Sequence, residues 1–198
     1  AWLRCNIDRL LIAALVAGLA AYLVLGQTAR GGAGIGAIWR RRAFFAGWVV
    51  GTAALVSPLC ALSVSLFSAR VGQHMVLTLI AAPLVALGLP RFRRDLAGRD
   101  IAAVSAFAFA LWVWHAPGPY AATFTSNRIY WLMHLTTFGA ALFFWMTVVA
   151  TPKAALGRTV ALVLATSLQM AFLGAIISLS GRALYAQHAQ AQGMKIVA

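Results

Sequence analysis

The residues best able to do chemistry here are histidines set in apolar surroundings. His74 lies in "ARVGQHMVLTLIAAPLVALGLP", His115 in "LWVWHAPGPY" and His134 in "WLMHLTTFGAALFFW". Neutral imidazole is a common metal ligand and also serves haem iron. Met75 adjoins His74 and Met133 adjoins His134, and thioether sulfur is a soft donor suited to Cu(I). Cys60 adds a thiol that can ligate as thiolate. Neighbours on a helix point about 100° apart, so a His and the Met beside it need not share one ligand. The metal set is therefore read as His74, His115 and His134, with Met75, Met133 and Cys60 weaker. On these residues alone copper and haem are both open. The chain has no Glu, and its three acids, Asp8, Asp95 and Asp100, sit at helix ends or in loops. Proton-coupled transport commonly uses an acid inside the membrane, and hydrolysis needs a nucleophile–base pair. The spacing specifies neither, so no enzyme is expected.

These histidines need elements to hold them, and composition says which kind. Of 198 residues, 63% are hydrophobic and only 10% charged, with a mean hydropathy of +0.87. A soluble domain is nearer half apolar and a quarter charged. The expectation is an all-α, polytopic membrane bundle of about six transmembrane helices in a single domain. Six apolar segments approach the ~20 residues a crossing needs. They run Ile7–Gly26, Ala43–Phe67, Val71–Leu89, Ile101–Ala116, Ile129–Ala150 and Thr159–Ser180, followed by a polar tail over 181–198. Pro58 and Pro83 should kink the second and third, while Pro117 and Pro119 close the fourth.

Basic residues set the orientation. Arg30, Arg40, Arg41, Arg42, Arg91, Arg93, Arg94, Arg99, Lys153 and Arg158 fall on one side. The other side holds Arg4, Arg9, Arg70, Arg128, Arg182 and Lys195. The bias puts the first group in the cytoplasm and both termini outside. His74 then lies roughly 6 Å below the outer edge, and His115 and His134 roughly 9 Å below it. His188, in the tail, can approach the same face.

Other features read as structural. The net charge of +13 would point to nucleic acid in a soluble chain, but in short loops it orients a membrane protein, so no nucleic-acid partner is expected. "GGAGIGA", Gly31 to Ala37, lacks the strand and the Lys-Ser/Thr ending of a phosphate loop and reads as a flexible linker. "GWVVG", Gly47 to Gly51, has the small-xxx-small spacing of close helix packing. Trp112, Trp114, Tyr120, Tyr130 and Trp131 form an interfacial belt, with Tyr120 placed to hydrogen-bond near the histidines. Cys5 and Cys60 are too few for a disulfide framework. There is no cleavable signal pattern before a soluble domain.

At "SPLCALSVSLFSARVGQHMVLTLIAAPLVALGLP", "LWVWHAPGPYAATF" and "WLMHLTTFGAALFFW" the sequence resembles the CtaG family, the assembly factors of caa(3)-type cytochrome c oxidases. With "AAYLVLG…WRRRAFFAG" the resemblance covers roughly Ala20 to Tyr185. It implies a multi-pass protein of the bacterial plasma membrane. Such a protein helps build the oxidase, at its copper-insertion stage, with oxidase subunits and the lipid bilayer as partners. His74, His115 and His134 match the family's histidine positions. The chain departs from the pattern in having Cys60 where an acid is common and Arg70 where a His is common. It also lacks the further apolar segment that usually follows "RALY". A b-type haem protein for electron transfer, or a structural membrane adaptor, are the other readings of the same histidines.

Overall fold

The computed structural model describes residues 8–28, 35–90, 98–180 and 185. It divides into two compact units, Ala1–Arg91 and Phe92–Ala198. The described residues are helical throughout, with no strand among them. Among the described residues, three helical stretches are long and apolar enough to cross a membrane: Phe67–Gly88, Asn127–Ala150 and Leu156–Ser178. A bent pair, Arg99–His115 with Pro117–Thr125, makes a fourth if it is one span.

The first unit contains α1 (Arg9–Thr28), α2 (Ile35–Val56), α3 (Pro58–Ser65), α4 (Phe67–Met75) and α5 (Ala82–Gly88), with a π-helical turn, Val76–Ala81, joining the last two. Asp8 starts α1, its carboxylate accepting the Leu10 N–H at 2.8 Å. α1 runs antiparallel to α2. Gly18 faces Trp48, and further along α1 Tyr22 stacks on Phe44, ring centroids 3.4 Å apart. α2 is likewise antiparallel to the α4–α5 stretch. A Cβ placed on Gly47 would meet Ala81 O and Val85 N at 2.8 Å, and one on Gly88 would run into the Phe44 Cβ and meet Arg40 O at 2.8 Å. Only glycine permits that approach. The "GWVVG" expectation therefore holds at Gly47, whereas a Cβ on Gly51 would make an ordinary 3.6 Å contact with Ala81.

Proline places the breaks. The residue before a proline is pushed out of helical geometry. Ser57 is accordingly extended (φ −69, ψ 169), with Pro58 in the first turn of α3. The expected second helix, Ala43–Phe67, is thus two helices, and it begins earlier, because Ile35–Ala37 of the supposed linker are helical. Gly31–Gly34 lie outside the described residues. Pro83 acts differently: Ala82 stays helical, and its N–H reaches back five residues to Leu77 O. The widened turn relieves the clash of the proline ring with the preceding turn.

The second unit contains α6 (Arg99–His115), α7 (Pro117–Thr125), α8 (Asn127–Ala150) and α9 (Leu156–Leu179), with a 3-10 turn, Lys153–Ala155, before α9. Gly98 precedes α6 with φ 79, a left-handed conformation that favours glycine. Ala116, before Pro117, is extended (φ −68, ψ 138), and α7 leaves α6 at 70°. The prolines that close the fourth segment thus open another helix, Pro117–Thr125, rather than a loop. α6 and α8 are antiparallel, since Phe107 stacks on Phe144 at 5.9 Å while Trp114 Nε1 donates to Thr136 Oγ1 at 2.8 Å. α6 and α9 are parallel: Asp100 pairs with Arg158 near their starts, and Trp112 Nε1 donates to Gln169 Oε1 at 3.0 Å further on.

Candidate functional site

In the first unit His74 belongs to a buried polar face of an otherwise apolar stretch. Arg70 is 2% exposed, Gln73 0%, His74 7% and Thr78 2%. Their spacing puts them on one side of the helix. Arg70, expected at the outer edge as a loop charge, is instead inside α4 and buried. Met75 is 48% exposed and so points away from the face that buries His74. Cys60 lies in α3, and its side chain is outside the described residues.

Gln73 has a definite task. Pro58 has no N–H, so the Ala54 carbonyl, four residues earlier, loses its helical donor. Gln73 Nε2 donates to Ala54 O at 2.9 Å in its place. The amide thus ties α4 to α2 at the proline break and fixes the rotation of the helix that carries His74. Further along the same face, Thr78 Oγ1 donates to His74 O at 2.7 Å, where the chain passes into the π turn. The pairing of Gln73 with Ala54 is not evident from the sequence alone. The available signal is the proline four residues after Ala54.

In the second unit His115 and His134 share one arrangement. His115 Nδ1 lies 2.7 Å from Leu111 O, and His134 Nδ1 lies 3.0 Å from Tyr130 O. A carbonyl oxygen only accepts, so both Nδ1 atoms carry the proton. In a neutral ring the lone pair then belongs to Nε2, the nitrogen whose chemistry allows it to accept a hydrogen bond or ligate a metal. The Trp114–Thr136 hydrogen bond sets His115 and His134 at one level of the antiparallel α6–α8 pair. Met133 is fully buried and His134 is 6% exposed. The His134 ring rests against Tyr130 at 4.4 Å and Trp131 at 5.8 Å.

The tail contributes a residue that sequence reading misses. Tyr185 is buried; its hydroxyl donates to His115 O at 2.8 Å, and its ring lies 4.2 Å from Tyr120. A lone tyrosine in a polar tail carries no signal of such docking. Tyr120 is itself buried, as a ring contact at the α6–α7 corner. His188 lies outside the described residues. Within either unit, the described residues include no group of three His, Cys, Asp or Glu side chains gathered as a metal site.

Several apolar helices of crossing length, with imidazoles buried in them, fit a multi-pass membrane protein. The chain belongs to the family of cytochrome c oxidase caa3 assembly factors (Caa3_CtaG), whose model matches residues 20–197. No curated protein and no solved structure matches the chain.

Proposed function

We propose that this protein assists assembly of cytochrome c oxidase from the bacterial plasma membrane, handling copper as cargo through His74, His115 and His134. It crosses the membrane six times with both termini outside, acts without catalysis, and works on an oxidase subunit. Family membership supports the assembly role. The alternating directions of α1, α2 and α4–α5, and of α6, α8 and α9, suit repeated crossing.

One observation carries the copper reading. His115 and His134 each commit Nδ1–H to a backbone carbonyl, at one level of one helix pair. Neutral imidazoles held in that tautomer suit Cu(I), and Met133, buried beside His134, is a soft sulfur donor next to it in the chain. A cargo metal calls for a few ligands that give it up again, and two or three imidazoles meet that need better than a closed thiolate cage.

The test is metal analysis and an absorption spectrum of purified protein loaded under reducing conditions. Roughly stoichiometric copper without a Soret band is expected, with retention falling in His134→Ala and His115→Ala but not in Met146→Ala. Sharp α and Soret bands after dithionite would replace copper with haem. In cells, deletion should lower oxidase activity with oxidase transcripts unchanged, and His134→Ala at normal membrane abundance should reproduce the loss. Full oxidase activity in a His74/His115/His134 triple alanine variant would leave only an adaptor role.

A further inference from the structure

The start of α2, "IGAIWRRRAFFAGW", carries a charge that nothing else in its unit balances. Arg40, Arg41 and Arg42 are all exposed. Three consecutive helical positions fan over about 200° of the helix circumference. Among the described residues none of the three has a carboxylate partner, the ion pair found being Arg158 with Asp100. The first unit's single acid is Asp8. It sits at the start of α1, and because α1 and α2 are antiparallel, that is the end away from the arginines.

Aromatic rings hold the guanidinium groups. Arg42 lies over Trp39 and Arg41 over Phe45, each 5.6 Å from the ring centroid. Trp39 is 64% exposed, and Ile35 and Ile38 beside it are also exposed. Immediately after Arg42 the helix turns apolar, and Phe44 is buried under Tyr22. The guanidiniums therefore lie within about one helical turn, roughly 5 Å, of the apolar boundary. That is headgroup level, where exposed tryptophan also prefers to sit.

We propose that Arg40, Arg41 and Arg42, with Trp39, form a binding site for the phosphate groups of anionic phospholipids. The guanidinium fork matches phosphate oxygens, and aromatic support reduces the freedom lost when it binds. A lipid fits better than an acidic protein segment, because the charges sit against the apolar boundary rather than on a projecting surface. The inference is independent of copper handling and of which face of the membrane this end occupies.

The test uses the full chain in nanodiscs of phosphatidylcholine with a minor share of phosphatidylglycerol. Lipid retained on the protein after extraction is then quantified by mass spectrometry. Phosphatidylglycerol should be enriched on the wild type, falling about fivefold for each Arg→Gln substitution. R40K/R41K/R42K should lose part of the enrichment, because lysine keeps the charge but not the guanidinium fork, and high salt should remove much of what remains. If the triple glutamine variant fails to insert, R42Q and the salt titration of the wild type decide. Equal retention of both lipids by the wild type would overturn the site. So would enrichment unchanged in R42Q and in high salt, or displacement of the lipid by millimolar inorganic phosphate or an acidic peptide.

Discussion

Gln73 Nε2 and Ala54 O meet 2.9 Å apart because Pro58 denies that carbonyl its own helix's donor. One amide repairs the break in α2 and orients α4 at the same time. Gln73→Leu should cost about 1–3 kcal/mol, since it leaves a buried acceptor unmet. In a Pro58→Ala background the substituted residue regains a backbone N–H that can donate to Ala54 O. There the same change should cost about 1 kcal/mol less. A double-mutant cycle on thermal unfolding of the purified protein measures this. Strict additivity of the two substitutions would refute the repair.

How far the sequence reveals this fold depends on which physical signal each element carries. Hydropathy locates α8 and α9 to within about three residues, because long apolar runs have one consistent solution. The proline rule marks the ends at Ser57 and Ala116, but not that the chain resumes as helix at once: that depends on Pro58 and Pro117 suiting a first helical turn. Leu66, extended between α3 and α4, has no proline, glycine or cap to announce it. Arg70 is misplaced by sequence reading because a charge at the end of an apolar run looks like a boundary, whereas tertiary packing buries it. The histidines are visible as polar residues in apolar runs, and their tautomers are not. Those follow from carbonyls four residues back, a relationship that needs side-chain geometry.

The glycines of the α2–α5 contact should rank by what a methyl group would strike. Gly47→Ala and Gly88→Ala push a Cβ against backbone atoms at 2.8 Å, which cannot move aside as a side chain can. Each should cost about 1–3 kcal/mol. Gly51→Ala meets only the Ala81 Cβ at 3.6 Å and gains helix propensity, so it should be neutral or stabilising by up to about 1 kcal/mol. Thermal unfolding of the three single variants checks the order. Equal losses at Gly47 and Gly51 would contradict close packing at Gly47.

Tyr185 donates a hydrogen bond to the His115 backbone carbonyl and packs its ring on Tyr120. Tyr185→Phe keeps the ring and should cost about 0.5–1.5 kcal/mol. Tyr185→Ala loses the packing on Tyr120 as well, and should raise proteolytic cleavage of the tail well beyond the phenylalanine variant. Cleavage rates of the three proteins on one gel separate the contributions. If phenylalanine and alanine behave alike, the hydroxyl is the whole attachment and the ring contact contributes nothing.

Helix directions within the second unit make the membrane orientation testable at three points. α6 and α9 run parallel, with Asp100 beside Arg158, and α8 runs against α6. Gly98 and Gly157 therefore belong to one end of the bundle, whereas Thr125 belongs to the end that holds His115 and His134. Single cysteines at these sites, with Cys5 and Cys60 replaced, can be probed with an impermeant thiol reagent in intact cells. Thr125→Cys should label from outside, and Gly98→Cys and Gly157→Cys only after the membrane is opened. The asymmetry of basic residues motivates that direction. The reverse result would turn the histidines toward the cytoplasm, so that copper would have to be taken from the inner side. Labelling of Gly98 and Gly157 from opposite sides would break the parallel register of α6 and α9, whichever orientation the protein adopts.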